Sequence, residues 1–567
     1  MRHTALLRLF FPWLLVAAAF LGACLPGAFA QQPLLYNRSV FNAASYMPGG
    51  IPASAIAQGS VFTLFGAYMG PATAVTATSF PLSTSLSGVT ITVTQGSNTV
   101  NAIPVYVSAS QINAIMPSNA PIGAASLRVI FNNAPSQLVP VQITNTAFGI
   151  FTALGTGLGP GVLQNFISQT NQPINEPKIT AQPGQTITLW GTGLGPVPYP
   201  DTQPPKQGNL PVQVQVFVGG VPATVVYSGR SPCCSGTDQI VFTVPSNAPQ
   251  GCWVPVYVKT AGSVVSNFVT MAIGPTSGAT CTNPILTDLS SVMVNGGNFG
   301  EAIVYRLTMH EDVGVVTPVD VTGDFHFEAA FNMPVLPFPF DSTVSLPPPG
   351  SCSAYTEQGD LLRGMLLPGS LLAATQLNIG PPFVLTGPNG PVTLDYPVSS
   401  YRAGPLGGLI SNNILPSTLY LNPGSYTMTG AGGSDVGPFS ASFSIPQPLT
   451  WNNRNQLNIV DRTQPLTISW TGGDTGQEIA VVGVGEDLPT NSSAVFKCIA
   501  MPGSSSLTVP PDLLANLPAT RQNPLQSKAI IYLFNLAGTS IQKLNAKGLD
   551  QGSTGYFYIN GKTVVLQ

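Results

Sequence analysis

The sequence predicts an all-β chain of tandem immunoglobulin-like β-sandwich domains followed by two further β-rich domains. Three observations carry this. Only 7 % of the residues are charged, against roughly 25 % in an average soluble domain, so the Glu-, Lys- and Arg-rich faces of surface helices are missing. The chain holds 59 glycines and 55 prolines, which punctuate short runs rich in Val, Ile and Thr, residues that suit a pleated strand. A two-block pattern also recurs within the first half. Hydrophobic residues make up 44 %, so the scarcity of charge does not signal disorder. At 567 residues there is room for about three to five domains.

Residues 1–30 read as a signal peptide. Arg2 and Arg8 give a basic start, an apolar stretch runs from Leu9 to Ala23, and Ala28, Phe29 and Ala30 form a small-x-small cleavage site before Gln31. The alternative is lipid anchoring, because Leu21, Gly22, Ala23 and Cys24 resemble a lipobox that would make Cys24 the first residue. No later segment reaches the ~18 apolar residues needed to span a bilayer. The expected location is secreted or cell-surface, with a lipid-anchored or periplasmic protein as the alternative.

Residues 31–146 and 147–275 are expected to be two related sandwiches. QGSVFTLFGAYMGPA at 58–72 matches PGQTITLWGTGLGPV at 183–197, and QINAIMPSNAPIG at 111–123 matches QIVFTVPSNAPQG at 239–251. Two blocks in the same order at nearly constant spacing indicate an internal duplication. The few extra residues of the second copy are placed in SGRSPCCSG, 228–236. VQVQVFV at 212–218 alternates with period two and runs into Gly219-Gly220, a hairpin signal.

The six residues GTGLGP occur at 155–160 and again at 191–196. A phosphate cradle needs glycines at a strand's end and a helix pointing its N-terminus at the ligand. Here the spacing is GxGxG and prolines follow, so the glycines, among them Gly66, Gly70, Gly191 and Gly195, are read as turn formers with positive φ. No cofactor is expected.

With these blocks in view, the string Asn42-Ala43-Ala44-Ser45-Tyr46, then FTLFGAYMGPA, Gln111-Ile112-Asn113, Gly149-Ile150-Phe151-Thr152, TLWGTGLGPV and GGVPATVVYSG resembles a repeat family of uncharacterised exported proteins abundant in acidobacteria. Its domains are similar to IPT/TIG modules, immunoglobulin-like folds of cell-surface proteins. The resemblance covers roughly 36–275 and implies fold and location. It implies no reaction and no catalytic residues.

Six cysteines follow the signal: Cys233, Cys234, Cys252, Cys281, Cys352 and Cys498. An even number in an exported chain suggests disulfides. Four lie close together, so two local bridges are expected, with the adjacent Cys233 and Cys234 pairing with different partners. Cys352 with Cys498 is then left over. Six cysteines allow fifteen connectivities, so the map stays open. Zinc is disfavoured by the lack of CxxC spacing and of a nearby His.

The remainder divides into 285–447 and 448–567. DVTGDFHFEAAF alternates as a strand, FSASFSIPQP ends near 448, and YFYI-NG-KTVVL at 556–566 reads as a hairpin with an Asn-Gly turn. No GxSxG or HExxH occurs. The candidate polar cluster is His310 with Asp324, His326 and Glu328, since the last three would share one strand face. They suit a metal or acid/base site if His310 lies across a hairpin, and the plainer reading is a solvated face with Phe325 and Phe327 pointing inward. Trp190, Trp253, Trp451 and Trp470 are read as core side chains in preference to sugar-stacking platforms.

With a formal net charge of −3, 19 Lys and Arg spread over the whole chain and no basic stripe, nucleic-acid binding, which requires clustered cations, is a poor reading. The expected function is therefore non-enzymatic: adhesion, extracellular architecture or binding, with a surface polysaccharide or another surface protein as partner. The alternative is a secreted, glycosidase-like hydrolase with its active site in 285–567.

Overall fold

The computed structural model describes residues 31–311, 319–358, 374–394, 415, 419–473, 477–521, 527–537 and 541–567. The expected signal peptide and Cys24 lie outside them. The chain is all-β, with α-helical segments among the described residues only at Thr287–Asn295 and Pro511–Leu514.

The first sandwich pairs its main strands in the order Leu34–Asn42, Val61–Ala67, Gln111–Ile115, Asn98–Val107, Val89–Gln95, Gly123–Phe131, Val139–Thr144. Alternate residues such as Phe62, Leu64, Ile91, Val93, Leu127 and Val129 are buried in one shared core, as period-two patterning requires of a half-buried sheet. The second sandwich repeats the arrangement. Val61 pairs with Ile115 in the first, and Thr186 pairs with Thr243 in the second. These are the same positions of the duplicated blocks, so the duplication preserves strand register. The predicted hairpin after 212–218 is present: Val218 faces Val221, and Gly219 and Gly220 both have positive φ, 59° and 82°, as a type I′ turn demands.

The turn reading of the glycines needs correction. Gly155, Gly157 and Gly159 have positive φ, as do Gly193 and Gly195. Gly66 and Gly191 instead lie inside strands Val61–Ala67 and Thr186–Thr192, and neither they nor Gly70 have positive φ. Gly191 is required by close approach: a Cβ there would sit 2.3 Å from the Gly149 carbonyl oxygen and from the Phe148 ring.

The C-terminal half is interleaved. A nine-stranded sheet follows the order Cys352–Gln358, Ser492–Ile499, Glu478–Asp487, Ser527–Ala537, Gln551–Thr563, Gly297–Glu311, Val319–Met333, Thr375–Gln376, with Ile541–Lys543 paired beside Gln551–Thr563. Strands from both sides of residue 448 therefore hydrogen-bond to one another, and the boundary expected there does not separate two sheets. A four-stranded sheet built from Phe383–Gly387, Gly390–Leu394, Gly424–Gly430 and Phe439–Ile445 covers one face, sharing a core with Ala302, Val304 and Ala330. The Asn560-Gly561 turn is also absent. Gln551–Thr563 runs straight through it, parallel to Gly297–Glu311 on one side and antiparallel to Ser527–Ala537 on the other. Gly561 serves instead to admit the Tyr532 ring, which would lie 2.9 Å from a Cβ.

The second sandwich docks onto the nine-stranded sheet through Gly251–Thr260, a strand buried on both faces. Val254, Val256 and Val258 point into the sandwich core. Trp253, 1 % exposed, points the other way and its indole Nε1 donates to the Pro339 carbonyl at 3.0 Å. Tyr257 stacks on Phe217 at 4.7 Å, and Lys259 pairs with Asp512 at 2.8 Å. Trp253→Ala is expected to cost about 3–5 kcal/mol, and Trp253→Phe about 1 kcal/mol more than a silent change, for the lost hydrogen bond. Chemical denaturation followed by tryptophan fluorescence measures both.

Candidate functional site

The repeated glycine loop does cradle an anion, but one supplied by the chain itself. The amides of Gly193 and Leu194 both donate to Asp238 Oδ2 at 2.8 Å. Asp238 Oδ1 lies 3.0 Å from the guanidinium of Arg230. Arg230 also donates to the carbonyls of Gly195 and of Gly59, each at 3.0 Å, so a residue of the second sandwich clasps the first. Burial pushes the Asp238 carboxyl up to about 6, with Arg230 and the two amides pulling against it. Asn42, whose amide donates to the Ala147 carbonyl at 3.0 Å, and Asp201, which accepts from the Ser118 amide at 2.7 Å and its hydroxyl at 2.8 Å, complete the junction.

The six cysteines form three disulfides. Cys352–Cys498 is the expected pair. Cys252 joins Cys281, with Cα atoms 5.2 Å apart. The expectation that Cys233 and Cys234 take different partners is overturned: they bond to each other. Both lie exposed in the 231–237 loop, and Cys252 and Cys281, buried beside Trp253, are already satisfied.

Asp324, His326 and Glu328 share a strand face as expected, but that face is not solvated. They are 3 %, 3 % and 4 % exposed, because the four-stranded sheet lies over them. Asp324 accepts from Arg306 Nε at 2.7 Å and from a terminal guanidinium nitrogen of Arg306 at 2.9 Å, and from the amides of Tyr420 and Leu421 at 2.6 and 2.7 Å. It therefore ties the two sheets together. His326 Nδ1 contacts Glu328 Oε2 at 2.9 Å. His310 does not join them. It faces Asp320 across the hairpin at 2.8 Å, whereas His326 faces Val304, six residues or about 20 Å along the strand. Among the described residues no three His, Cys, Asp or Glu side chains gather as a metal-holding group. Trp253, Trp451 and Trp470 are buried, and Trp190 donates to Gln164 Oε1 at 2.8 Å.

What sequence reasoning missed lies on the opposite face of the nine-stranded sheet. A cavity of about 1010 Å³, its open mouth included, sits between that face, the helix Thr287–Asn295 and the segment around 343–346. Its wall is apolar, with Leu289, Ile303, Phe327, Phe534 and Phe557 prominent. Phe534 and Phe557 are only partly buried against the surrounding core. Two charged residues line it, Glu301 and Lys497. Burial alone pushes Glu301 up to about 7, and no hydrogen bond or ion pair from a described residue reaches its carboxyl. Burial brings Lys497 down to about 7, the charge of Asp341 opposing, and its ammonium donates to the Ser342 carbonyl. Tyr305 also lines the wall, and among the described residues its buried hydroxyl has no hydrogen-bond partner. Glu301 and Lys497 sit at alternating strand positions, so their burial depends on which long-range layer covers each face, and no local signal announced it.

No family model matches the sequence, and no curated protein matches it. Solved structures show distant similarity. SGBP-B of a Bacteroides ovatus mixed-linkage glucan utilization locus, in complex with a mixed-linkage heptasaccharide, is 12% identical over 49% of this chain and 67% of its own, with a TM-score of 0.20. The extracellular region of plexin A4 is 15% identical over 40% of this chain, which spans only 16% of that protein, with a TM-score of 0.14. The titin I9–I11 tandem is 6% identical over 73% of this chain and 96% of its own, with a TM-score of 0.11. Scores this low transfer no function to this chain.

Proposed function

We propose that this chain is an exported, non-catalytic β-sandwich protein that acts outside the cytoplasm as a rigid surface or binding element, with a surface polysaccharide or another surface protein as its partner. The observation that carries the reading is the pairing of all six cysteines beyond residue 30 into three disulfides, since such bonds form and persist in oxidising compartments. The acid and base side chains singled out in the sequence support the non-catalytic part. Asp324 is held by Arg306, and His326 by Glu328, so they serve the packing of two sheets. A glycosidase needs two carboxylates flanking its substrate, and the apolar cavity under the helix Thr287–Asn295 is lined, among the described residues, by one, Glu301.

Fractionation of the native host with thiol counting tests the reading. The protein is expected outside the cytoplasm, with no thiol titratable in denaturant beyond residue 30. A cytoplasmic pool with six titratable thiols defeats it. A glycan array and crosslinking on intact cells then separate polysaccharide from protein partners.

A further inference from the structure

We propose that the cavity beneath the helix Thr287–Asn295 is a binding site for a neutral, elongated apolar molecule that ends in a hydroxyl group. This stands independently of where the protein is displayed. The shape follows from the wall, which takes residues from six neighbouring strands of the sheet, roughly 24 Å across at 4.8 Å per strand.

The apolar character follows from the lining. Partly buried Phe534, Leu536 and Phe557 keep surface that packing has not covered, and an apolar occupant would remove it from water. The polar end follows from Glu301. Glu301 is half-buried in the wall, and among the described residues no hydrogen bond or ion pair reaches its carboxyl, so its desolvation cost is one that a hydrogen bond relieves. A carboxyl or carboxylate can accept, so the complement is a donor. Lys497 does not offer the same vacancy, because it already bonds to the Ser342 carbonyl, and it lies four strands from Glu301 in sheet order. Neutrality follows from the balance of the lining: one acid and one base cancel formally, and a charged head would add an uncompensated buried charge. A hydroxyl donates to Glu301 in either protonation state and brings no charge.

The test uses the full chain and displacement of bound N-phenylnaphthylamine by 1-decanol, decyl methyl ether, decanoate and decylamine. 1-Decanol is expected to bind about fivefold tighter than the ether, which cannot donate, and tighter than either charged analogue. Glu301→Leu is expected to abolish the preference for the alcohol while leaving the ether's affinity within about twofold. Ala480→Trp, which fills the wall, is expected to remove all binding while the circular-dichroism melt stays cooperative. If that variant does not fold, the Glu301→Leu comparison decides alone. Absence of displacement by any of the four compounds, an alcohol preference that survives Glu301→Leu, unchanged binding in a folded Ala480→Trp, or tightest binding of decanoate or decylamine each overturns the proposal.

Discussion

Replacing Arg230 with methionine is expected to cost about 3–5 kcal/mol, the penalty for leaving a buried carboxylate without its cation. Arg230 and Asp238 are 3 % and 0 % exposed, so solvent does not screen the loss. The change also removes the two bonds to the Gly59 and Gly195 carbonyls, and with them a direct link between the sandwiches. Asp238→Asn is expected to cost less, because its side-chain oxygen still accepts from Gly193 and Leu194 while Arg230 keeps its carbonyl partners. The double variant is expected to be more stable than Arg230→Met alone, since a neutral pair leaves no buried charge. Urea midpoints of the four proteins measure this. An additive double variant would show that the two side chains are not coupled.

The same pair sets a pH dependence with a definite sign. The folded Asp238 carboxyl is raised from 3.8 to about 6, so between those values the native state holds a proton that the unfolded chain has released. The group's contribution to stability is fully present below about pH 4 and is lost as pH rises through about 6. The stability of wild type minus that of Asp238→Asn is therefore expected to fall between pH 4 and pH 6 and to level off above. A difference that rises with pH would contradict the assignment.

Removing the Cys352–Cys498 disulfide, as the double serine variant, is expected to cost about 5 kcal/mol in the chain-entropy model. The bond closes a loop with a sequence separation of 146 and staples Cys352–Gln358 to Ser492–Ile499, in which the two cysteines are register partners. Cys252–Cys281 spans a separation of 29 and is expected to contribute about 3.6 kcal/mol on the same basis. Cys233 and Cys234 are adjacent, close no loop of consequence, and are expected to leave the unfolding midpoint nearly unchanged when replaced by serine. Denaturation of the three double variants should give that rank order.

The sandwiches were legible because the duplicated blocks are local. Val61–Ala67 and Thr186–Thr192 each carry their strand pattern and their closing glycines within about fifteen residues. The C-terminal half was not, because its pairings join distant segments: Gly297–Glu311 with Gln551–Thr563, and Cys352–Gln358 with Ser492–Ile499. Such pairing leaves alternation in each strand but no mark of its partner. For that reason Asp324, His326 and Glu328 read as a solvated face. Alternation assigned them correctly to one side of the strand but could not reveal the sheet laid over it. Asn560-Gly561 failed similarly, since a turn dipeptide placed between two partner strands stays extended when both ladders hold it. Glu301, the residue on which the cavity's polar end depends, had no local signal at all.

The placement of Gln551–Thr563 in the middle of the large sheet has a consequence for biogenesis. The chain emerges N-terminus first, so the two sandwiches can fold early, while Gly297–Glu311 pairs at once with Val319–Met333 but must wait some 250 residues for its second neighbour. Until Gln551–Thr563 has emerged, the edges on either side of that gap stay open. A product terminated before residue 551 would expose both, so quality control of this protein should hinge on the arrival of Gln551–Thr563.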